Sequence, residues 1–488
     1  MIRKWFPFFM LFSMALSGLN AQNSPVLLTI AGEEVTLEEF ERIYRKNNSE
    51  ASMNRQTPEE YLDLFIKFKL KVKEAESLGM DTTSKFINEL EGYRKQLAKP
   101  YLTDNETREE MMKEAYERAL VDVNASHILI KLPPDPTPAD TAAAHEKIME
   151  IRSRILSGED FEEVARATSD DASVARNGGN LGYFTVFSMV YPFETMAYRT
   201  PVGELSEPFR TDFGYHILKV NDRRPARGQV KVAHIFVRTP EGMSDAQREE
   251  AYAKAQMIHD SLQAGIAFAD MARRHSDDPG SSRNGGEMPW FGTGRMIPEF
   301  ENACFALEEK GEISDPFKSF YGWHIVQLID KKEVGSYEAM KPELQEKINR
   351  GDRVRYRNAR YVGKLKDEYG FTFHPSAMDP VYEAVDSTLL QGSWKSESLK
   401  GDQVPLFQIG DRVVTTGDFA EYLEDQQGGS KSRNPVSLVD QQLEKFTEEQ
   451  VMAYEESMLP TKYPEFRHIY QEYHDGILLF DIMDQKVW

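Results

Sequence analysis

The sequence predicts an α+β chain in which one sheet-and-helix domain occurs twice between mainly helical ends. Three observations carry this. An internal repeat runs through the middle of the chain at an offset of 107 residues. Each repeat begins and ends on an apolar run rich in β-branched residues, with helical periodicity between. Outside the repeats, apolar residues fall at helical spacing over long stretches. At 488 residues and 40% hydrophobic content, the chain exceeds one ordinary domain of roughly 100–200 residues and can build several cores.

The elements follow in chain order. Residues 1–21 place Arg3 and Lys4 before an apolar run from Trp5 to about Leu16, then small residues up to Ala21. That is the order of a cleaved secretory signal, and the run falls short of the ~20 residues a spanning helix needs. No Cys follows it, which argues against a lipid anchor. The expectation is an exported protein, in a bacterial periplasm, with no stable membrane insertion. Residues 22–121 open with a strand-turn-helix over 28–40, in which Thr36 and Glu39 fit a capping box. Helices are expected over 61–78 and 84–97.

The two copies occupy 122–224 and 228–332. His127 aligns with His234, Phe161 with Phe268, Ser169-Asp170-Asp171 with Ser276-Asp277-Asp278, and Asn177-Gly178-Gly179 with Asn284-Gly285-Gly286. Met189, Phe193 and Glu194 align with Met296, Phe300 and Glu301. After one inserted residue the offset becomes 108, and Pro208-Phe209 and His216-Ile217 align with Pro316-Phe317 and His324-Ile325. A period of this length is a whole domain, not a solenoid unit. Each copy reads as a strand (123–130 or 230–237), a helix with Ile148, Ile151 and Ile155 or Ala255, Ile258 and Leu262 on one face, and a short helix from Phe161 or Phe268. In copy 1 a strand over 181–184 follows the Asn-Gly-Gly turn, a helix begins near Pro192, and 214–220 is the last strand. Residues 333–488 are expected to be mainly helical. A strand-turn-helix over 407–419 repeats the pattern of 28–40, which suggests that the two ends pack together.

Charge and cysteine content exclude several functions. A net charge of −21 makes nucleic acid and anionic membrane poor partners. The single cysteine, Cys304, rules out an intrachain disulfide and a zinc cluster of the Cys type; between Ala303 and Phe305 it reads as a small core residue. No metal or cofactor is expected.

Five motifs arrive in the same order in both copies: His-Ile on the first strand, Ser-Asp-Asp, Asn-Gly-Gly, Met-x-x-x-Phe-Glu, and a terminal Gly-x-His-Ile. This set resembles the parvulin family of peptidyl-prolyl cis/trans isomerases. The resemblance implies a four-stranded antiparallel sheet wrapped by helices. It implies a proline pocket lined by Leu181, Met189 and Phe193 in copy 1, and by Met288, Met296 and Phe300 in copy 2. It also implies histidine pairs, His127 with His216 and His234 with His324, and an acidic group, Asp171 or Asp278, beside the rotating amide. Each assignment has a plainer counterpart. Met and Phe at helical spacing also describe ordinary core, a histidine pair also ties two strands together, and a Ser-Asp-Asp run also caps a turn.

Rotation about an X–Pro bond faces a barrier of roughly 18–20 kcal/mol set by amide resonance, and a dry pocket with placed polar groups can lower it without nucleophile or metal. Three departures from the family stand out. Phe213 and Tyr321 replace a Ser found in some members, which removes one hydroxyl from the site. Copy 2 has Met288-Pro289 where copy 1 has Leu181-Gly182. The loop after the first strand carries one cation, Lys131 or Arg238, rather than a basic cluster, which disfavours phosphopeptide selectivity.

Helical regions around tandem parvulin copies resemble the periplasmic SurA-type chaperones, which bind unfolded outer-membrane proteins. The function this implies is an exported prolyl isomerase acting as a folding factor on unfolded or nascent outer-membrane or secreted polypeptides that contain X-Pro bonds. Two alternatives stand beside it. One is a non-catalytic holdase whose parvulin copies only bind peptide; the other is an export foldase for a single dedicated client.

Overall fold

In a computed structural model the protein is described over residues 24–48, 55–428, 432 and 434–486. The expected signal over 1–21 lies outside the described residues. Contacts divide the chain into two compact units. One joins the N-terminal residues up to Thr103 with the C-terminal residues from Glu456, and the other holds Asp104–Glu455.

The first unit starts as a hairpin, Val26–Ile30 with Glu33–Thr36. Its two-residue turn, Ala31-Gly32, has positive φ at both positions (51° and 87°), as a primed turn matched to strand twist requires. Thr36 then caps the helix Leu37–Asn47, its hydroxyl accepting from the Glu39 N–H at 3.2 Å. Phe40 packs with Ile30 and Val35 on Phe65 of the helix Pro58–Ser77. The last helix, Pro464–Lys486, buries Ile477, Leu478 and Ile482 against Val72 and Ala75 of that helix and Phe86 and Leu90 of Ser84–Ala98.

The second unit contains both copies. The copy 1 sheet is antiparallel in the order Asn180–Phe184, Val121–Lys131, Gly214–Pro225, Phe209–Thr211. Copy 2 repeats it with Phe291–Gly292, Gln229–Arg238, Gly322–Lys332, Phe317–Lys318. Side chains alternate between faces along a strand. Ile128, Ile130 and Ile217 therefore pack on one face under Ile148 and Ile151 of the helix Pro138–Leu156 and Phe161 and Val164 of Phe161–Thr168. Val123, Ala125, Leu218 and Val220 face the other way, onto Phe193 and Ala197 of Tyr191–Arg199. Each fully buried Ile, Leu or Phe stabilises the fold by about 1.5–3 kcal/mol. The Asn-Gly-Gly turn needs its last glycine. Gly179 and Gly286 both have φ of +86°, and a Cβ there would come within 2.6 Å of the carbonyl oxygen of His127 or His234. The turn is thus pressed against the strand that carries the site histidine.

Helix Asn105–Ala119 buries Met111, Met112 and Ala115 against Leu344 and Ile348 of Tyr337–Ile348, together with Val186 and Tyr191 of copy 1. Residues 371–446 close another core around Trp394, Phe407, Phe419 and Phe446. The two strand-turn-helix units do share a design: Thr415 caps Thr416–Gln426 as Thr36 caps Leu37–Asn47. The two ends do pack together, through residues up to Thr103 and from Glu456, but not through these units: Phe40 and Phe419 belong to different cores. Cys304 is fully buried in the copy 2 core, where burial pushes its thiol pKa up; it is inert packing. No described helix is long and apolar enough to cross a membrane.

Candidate functional site

In copy 2, His234 and His324 sit on the two central strands, with His324 opposite Phe236 and His234 opposite Val326. A stagger of two residues keeps both rings on one face, the face that carries Phe300. His234 Nε2 lies 2.9 Å from His324 Nδ1, and His324 Nε2 lies 2.6 Å from the Ser319 hydroxyl. On the far side, Asp278 Oδ2 is 3.8 Å from His234 Nδ1. Ser319, His324, His234 and Asp278 form one polar file along the sheet. Phe300 presents its ring edge-on to both imidazoles, at 4.9 and 5.6 Å between centroids, while Phe236 and Phe317 stack on His324.

These surroundings fix the charge states. Burial pushes the His324 pKa down to about 4, and burial with the neighbouring His324 pushes His234 down to about 4 against the pull of Asp278. Both rings are neutral at neutral pH. Burial raises the Asp278 carboxyl, but hydrogen bonds from the Ser281 hydroxyl (2.5 Å) and the Gly280 N–H (3.0 Å) outweigh it, so it is held below the usual carboxylate range. The file therefore ends in one ionised carboxylate. His234, His324, Asp278, Met288, Met296 and Phe300 line a single open cavity of about 780 Å³.

Copy 1 assembles the same residue types differently. His127 Nε2 is 2.8 Å from Asp171 Oδ2, and His216 Nε2 is 2.8 Å from the Thr211 hydroxyl. The two rings lie nearly parallel at 5.7 Å and share no hydrogen bond, both Nδ1 atoms being buried without a partner. Burial, reinforced by His127, pushes His216 down to about 3. Burial opposes ionisation of Asp171, but bonds from the Ser173 N–H (2.9 Å), His127 and the Ser173 hydroxyl hold its pKa low. Phe193 meets both imidazoles edge-on, and Leu181 and Met189 pack around it. Phe193 and Phe300 are core residues, 4% exposed each, and Phe300 also lines the copy 2 cavity. Asp171 and Asp278 likewise both cap a turn and face a histidine.

Six residues of the candidate site, three aligned pairs, carried a signal that sequence reasoning passed over. Thr211 and Ser319 supply a hydroxyl to the histidine pair, so the loss of Ser at Phe213 and Tyr321 does not leave the site without one. They align at offset 108 and are of one chemical type in both copies. Phe209 and Phe317, which stack on His216 and His324, were matched as a repeat identity without being read as site. Glu194 and Glu301, at the end of the Met-x-x-x-Phe-Glu motif, are buried. Each accepts from a backbone N–H in the preceding turn, Phe187 at 2.8 Å or Gly294 at 2.7 Å, and so fixes the turn to the helix that carries the pocket phenylalanine.

A four-stranded antiparallel sheet with a staggered histidine pair over an apolar pocket defines a parvulin-type domain, and comparison with known proteins agrees. The family model described as Rotamase, PPIC-type PPIASE domain, matches residues 127–222 and 234–330. Both copies belong to that family, and the chain is a tandem-parvulin protein similar to SurA-type chaperones. It is 35% identical over 250 residues to Chaperone SurA of Alkalilimnicola ehrlichii, covering 50% of this chain and 56% of that one. It is 38% identical over 224 residues to Chaperone SurA of Sodalis glossinidius, covering 45% and 51%. The chain thus spans about half the length of the curated relatives it matches. Among solved structures, the parvulin domain of PpiD from E. coli is 31% identical, with 22% of this chain and 89% of that chain covered and a TM-score of 0.18.

Proposed function

We propose that the protein is a peptidyl-prolyl cis/trans isomerase that acts as a periplasmic folding chaperone, with copy 2 as its principal catalytic centre. The observation that carries this reading is the open cavity in which Met288, Met296 and Phe300 converge with His234, His324 and Asp278. A proline ring enters the apolar side. The carboxylate of Asp278 then lies near the amide carbonyl. Planar amide resonance places negative charge on that oxygen, so a nearby carboxylate raises the planar state more than the twisted one and lowers the barrier. The neutral histidine pair, held by Ser319, orients the polar side of the cavity without charging it. No bond to the substrate forms. The clients are unfolded outer-membrane or secreted polypeptides with X-Pro bonds. The similarity to proteins named Chaperone SurA supports unfolded polypeptides as clients, and the apolar run at 5–16 supports export.

The test is isomerisation of proline tetrapeptides by the full chain, read by exchange spectroscopy without a coupling protease. Met296→Ala with Phe300→Leu is expected to lower kcat/KM at least tenfold while circular dichroism is unchanged. Asp278→Asn is expected to lower kcat with less effect on KM. Wild-type rates in the folded double variant would remove the pocket assignment. Tight binding with no rate enhancement in the wild type would favour the holdase.

A further inference from the structure

Beside the copy 2 site lies a second cavity of about 570 Å³. The two share the wall formed by Thr239, Pro240, Glu241 and Phe320, and Ser319, whose hydroxyl holds His324, lines the second one as well. Its floor is the ring pair Tyr252 and Trp323, with centroids 4.6 Å apart. Three aromatic side chains are exposed on this one surface: Phe320 at 75%, Tyr321 at 57% and Tyr252 at 46%. An aromatic ring held in water next to a cavity is a ready anchor for apolar contact, because it loses little conformational freedom on binding. The charges around it favour neither sign strongly, with Arg248 facing Asp245 at 3.7 Å and Lys318 facing the same space as Glu241 and Glu249.

Copy 1 has a different surface at the aligned positions. Asp212 stands where copy 2 has Phe320, and His145 where it has Tyr252. Asp212 is engaged by Arg355 at 3.0 Å. Copy 1 keeps an exposed ring at Phe213 (57%) and a ring pair, His145 with Tyr215 at 5.2 Å, so the feature of copy 2 alone is Phe320 in the wall between two cavities.

Resting on the isomerase reading above, we propose that this second cavity is an outer subsite of copy 2, and that it takes a large apolar side chain, aromatic or branched, from the same polypeptide whose prolyl bond occupies the first cavity. The occupant follows from continuity. The cavities share a wall, and a chain leaving the proline pocket over Phe320 passes directly into the second one. At ~3.3 Å per extended residue, crossing one ring places the anchoring side chain within about four residues of the proline. Copy 2 then selects prolines near a large apolar residue, a feature of segments that are buried once folded.

The test uses the full chain and a set of soluble Ala-Pro peptides. A single Phe is moved from four residues before the proline to four after, with an all-Ala reference. One position, or two adjacent ones, is expected to raise kcat/KM at least fivefold, mainly through KM. Tyr252→Ala is expected to abolish that gain while the reference peptide keeps its rate within twofold. A flat response to Phe position, with the reference peptide isomerised normally, would overturn the outer subsite and leave the isomerase reading intact. If no peptide is isomerised, the isomerase reading fails, and binding decides the subsite. Affinity that peaks at one Phe position and falls at least fivefold in Tyr252→Ala supports it, and affinity insensitive to both overturns it. A Phe preference that survives in Tyr252→Ala also overturns it.

Discussion

Copies 1 and 2 fold alike and are held in place differently. In copy 1 the buried Glu194 is gripped by Arg118, at 2.8 Å from the helix Asn105–Ala119, and by Arg353, at 2.5 Å from the helix Arg353–Glu368. Asp352 accepts from the Tyr191 N–H at 2.7 Å, which satisfies the free end of the helix bearing Phe193. The loop after the first strand is pinned as well, with Ser432 and Asn434 bonded to Asp135 and Ser437 to Pro136. In copy 2, Glu301 is gripped instead by Arg224, near the end of copy 1's last strand, and by Arg227, in the segment that joins the two copies. Pro298 fills the place of Tyr191, so there is no N–H to satisfy. Thr239, Pro240 and Glu241 of the matching loop line an open cavity. One sequence pattern thus serves as a buttressed domain and as a presented one.

The largest effect that tests this contrast is on Arg353. Its side chain is 3% exposed and its partner Glu194 is fully buried. Removing one cation from a buried carboxylate leaves charge poorly compensated, a loss of about 3–5 kcal/mol. Arg353→Met is expected to destabilise copy 1 by about 3 kcal/mol, since Arg118 remains. Arg227→Met should cost about half as much, because Arg227 and Arg224 are both 22% exposed and water can reach the gap. Urea unfolding of each full-length variant measures this, and equal costs would break the comparison.

Acid comes next. His216 in copy 1 and His234 and His324 in copy 2 are neutral in the fold, with pKa values pushed down to about 3, 4 and 4. An unfolded histidine titrates near 6.5. Between pH 6.5 and about 4, or about 3 for His216, the unfolded chain binds protons that the fold refuses, so stability falls as pH falls and levels off below that window. Each such group contributes up to about 1.4 kcal/mol per pH unit in that window. Replacing His234 and His324 together by Gln should flatten the pH dependence of the urea midpoint more than His216→Gln does. Catalysis by copy 2 should be level from pH 6 to 9. A limb near pH 6.5 would show that a site histidine titrates in the working range.

A smaller effect separates Phe187 from Gly294, which align at offset 107. Both have positive φ, 64° and 77°, a conformation that costs a non-glycine residue about 1 kcal/mol. Phe187 carries that cost beneath Arg353 and Lys347, whose cationic groups lie 4.2 and 5.1 Å from its ring centroid, contacts of about 0.5–2 kcal/mol. Phe187→Gly relieves strain and removes those contacts, and should change stability by less than about 1 kcal/mol. Gly294→Ala should cost more, about 1–2 kcal/mol, because its Cβ would come within 2.9 Å of the Tyr183 carbonyl oxygen.

The repeat made the sheets, the helices and the grouping of the candidate site residues legible, because two aligned copies of His127, Asp171, Met189, Phe193 and His216 are hard to produce by anything but shared structure. How copy 1 is held was not legible, since the residues that grip it lie outside the repeat. Asp352, Arg353 and Arg355 look like ordinary charge at the start of a basic helix, and only the fold brings them to Tyr191, Glu194 and Asp212. The hydroxyls of Thr211 and Ser319 were hidden for a local reason. A family pattern drew attention to the position two residues later, where Phe213 and Tyr321 stand. The likeness of the strand-turn-helix units at the two ends was real in sequence and carried no information about which core each would close.

The smallest effect is expected two residues from the largest. Arg355 binds Asp212 of copy 1 at 3.0 Å, a geometry close to that of Arg353 with Glu194. Yet Arg355 is 58% exposed and Asp212 71%. Two unit charges about 3–4 Å apart interact by roughly 1 kcal/mol in water and several-fold more in a partly buried site. Exposed pairs also lose side-chain freedom when they form, so their net worth is about 0–1 kcal/mol. Arg355→Ala should therefore shift the urea midpoint by no more than about 0.5 kcal/mol equivalent, and 0.5 M salt should erase even that. Arg353→Met should be nearly indifferent to the same salt, because screening ions do not reach a buried carboxylate. If Arg355→Ala destabilises the chain as much as Arg353→Met, copy 1 is held mainly by its rim. The buttress would then be a surface charge lattice rather than one buried glutamate.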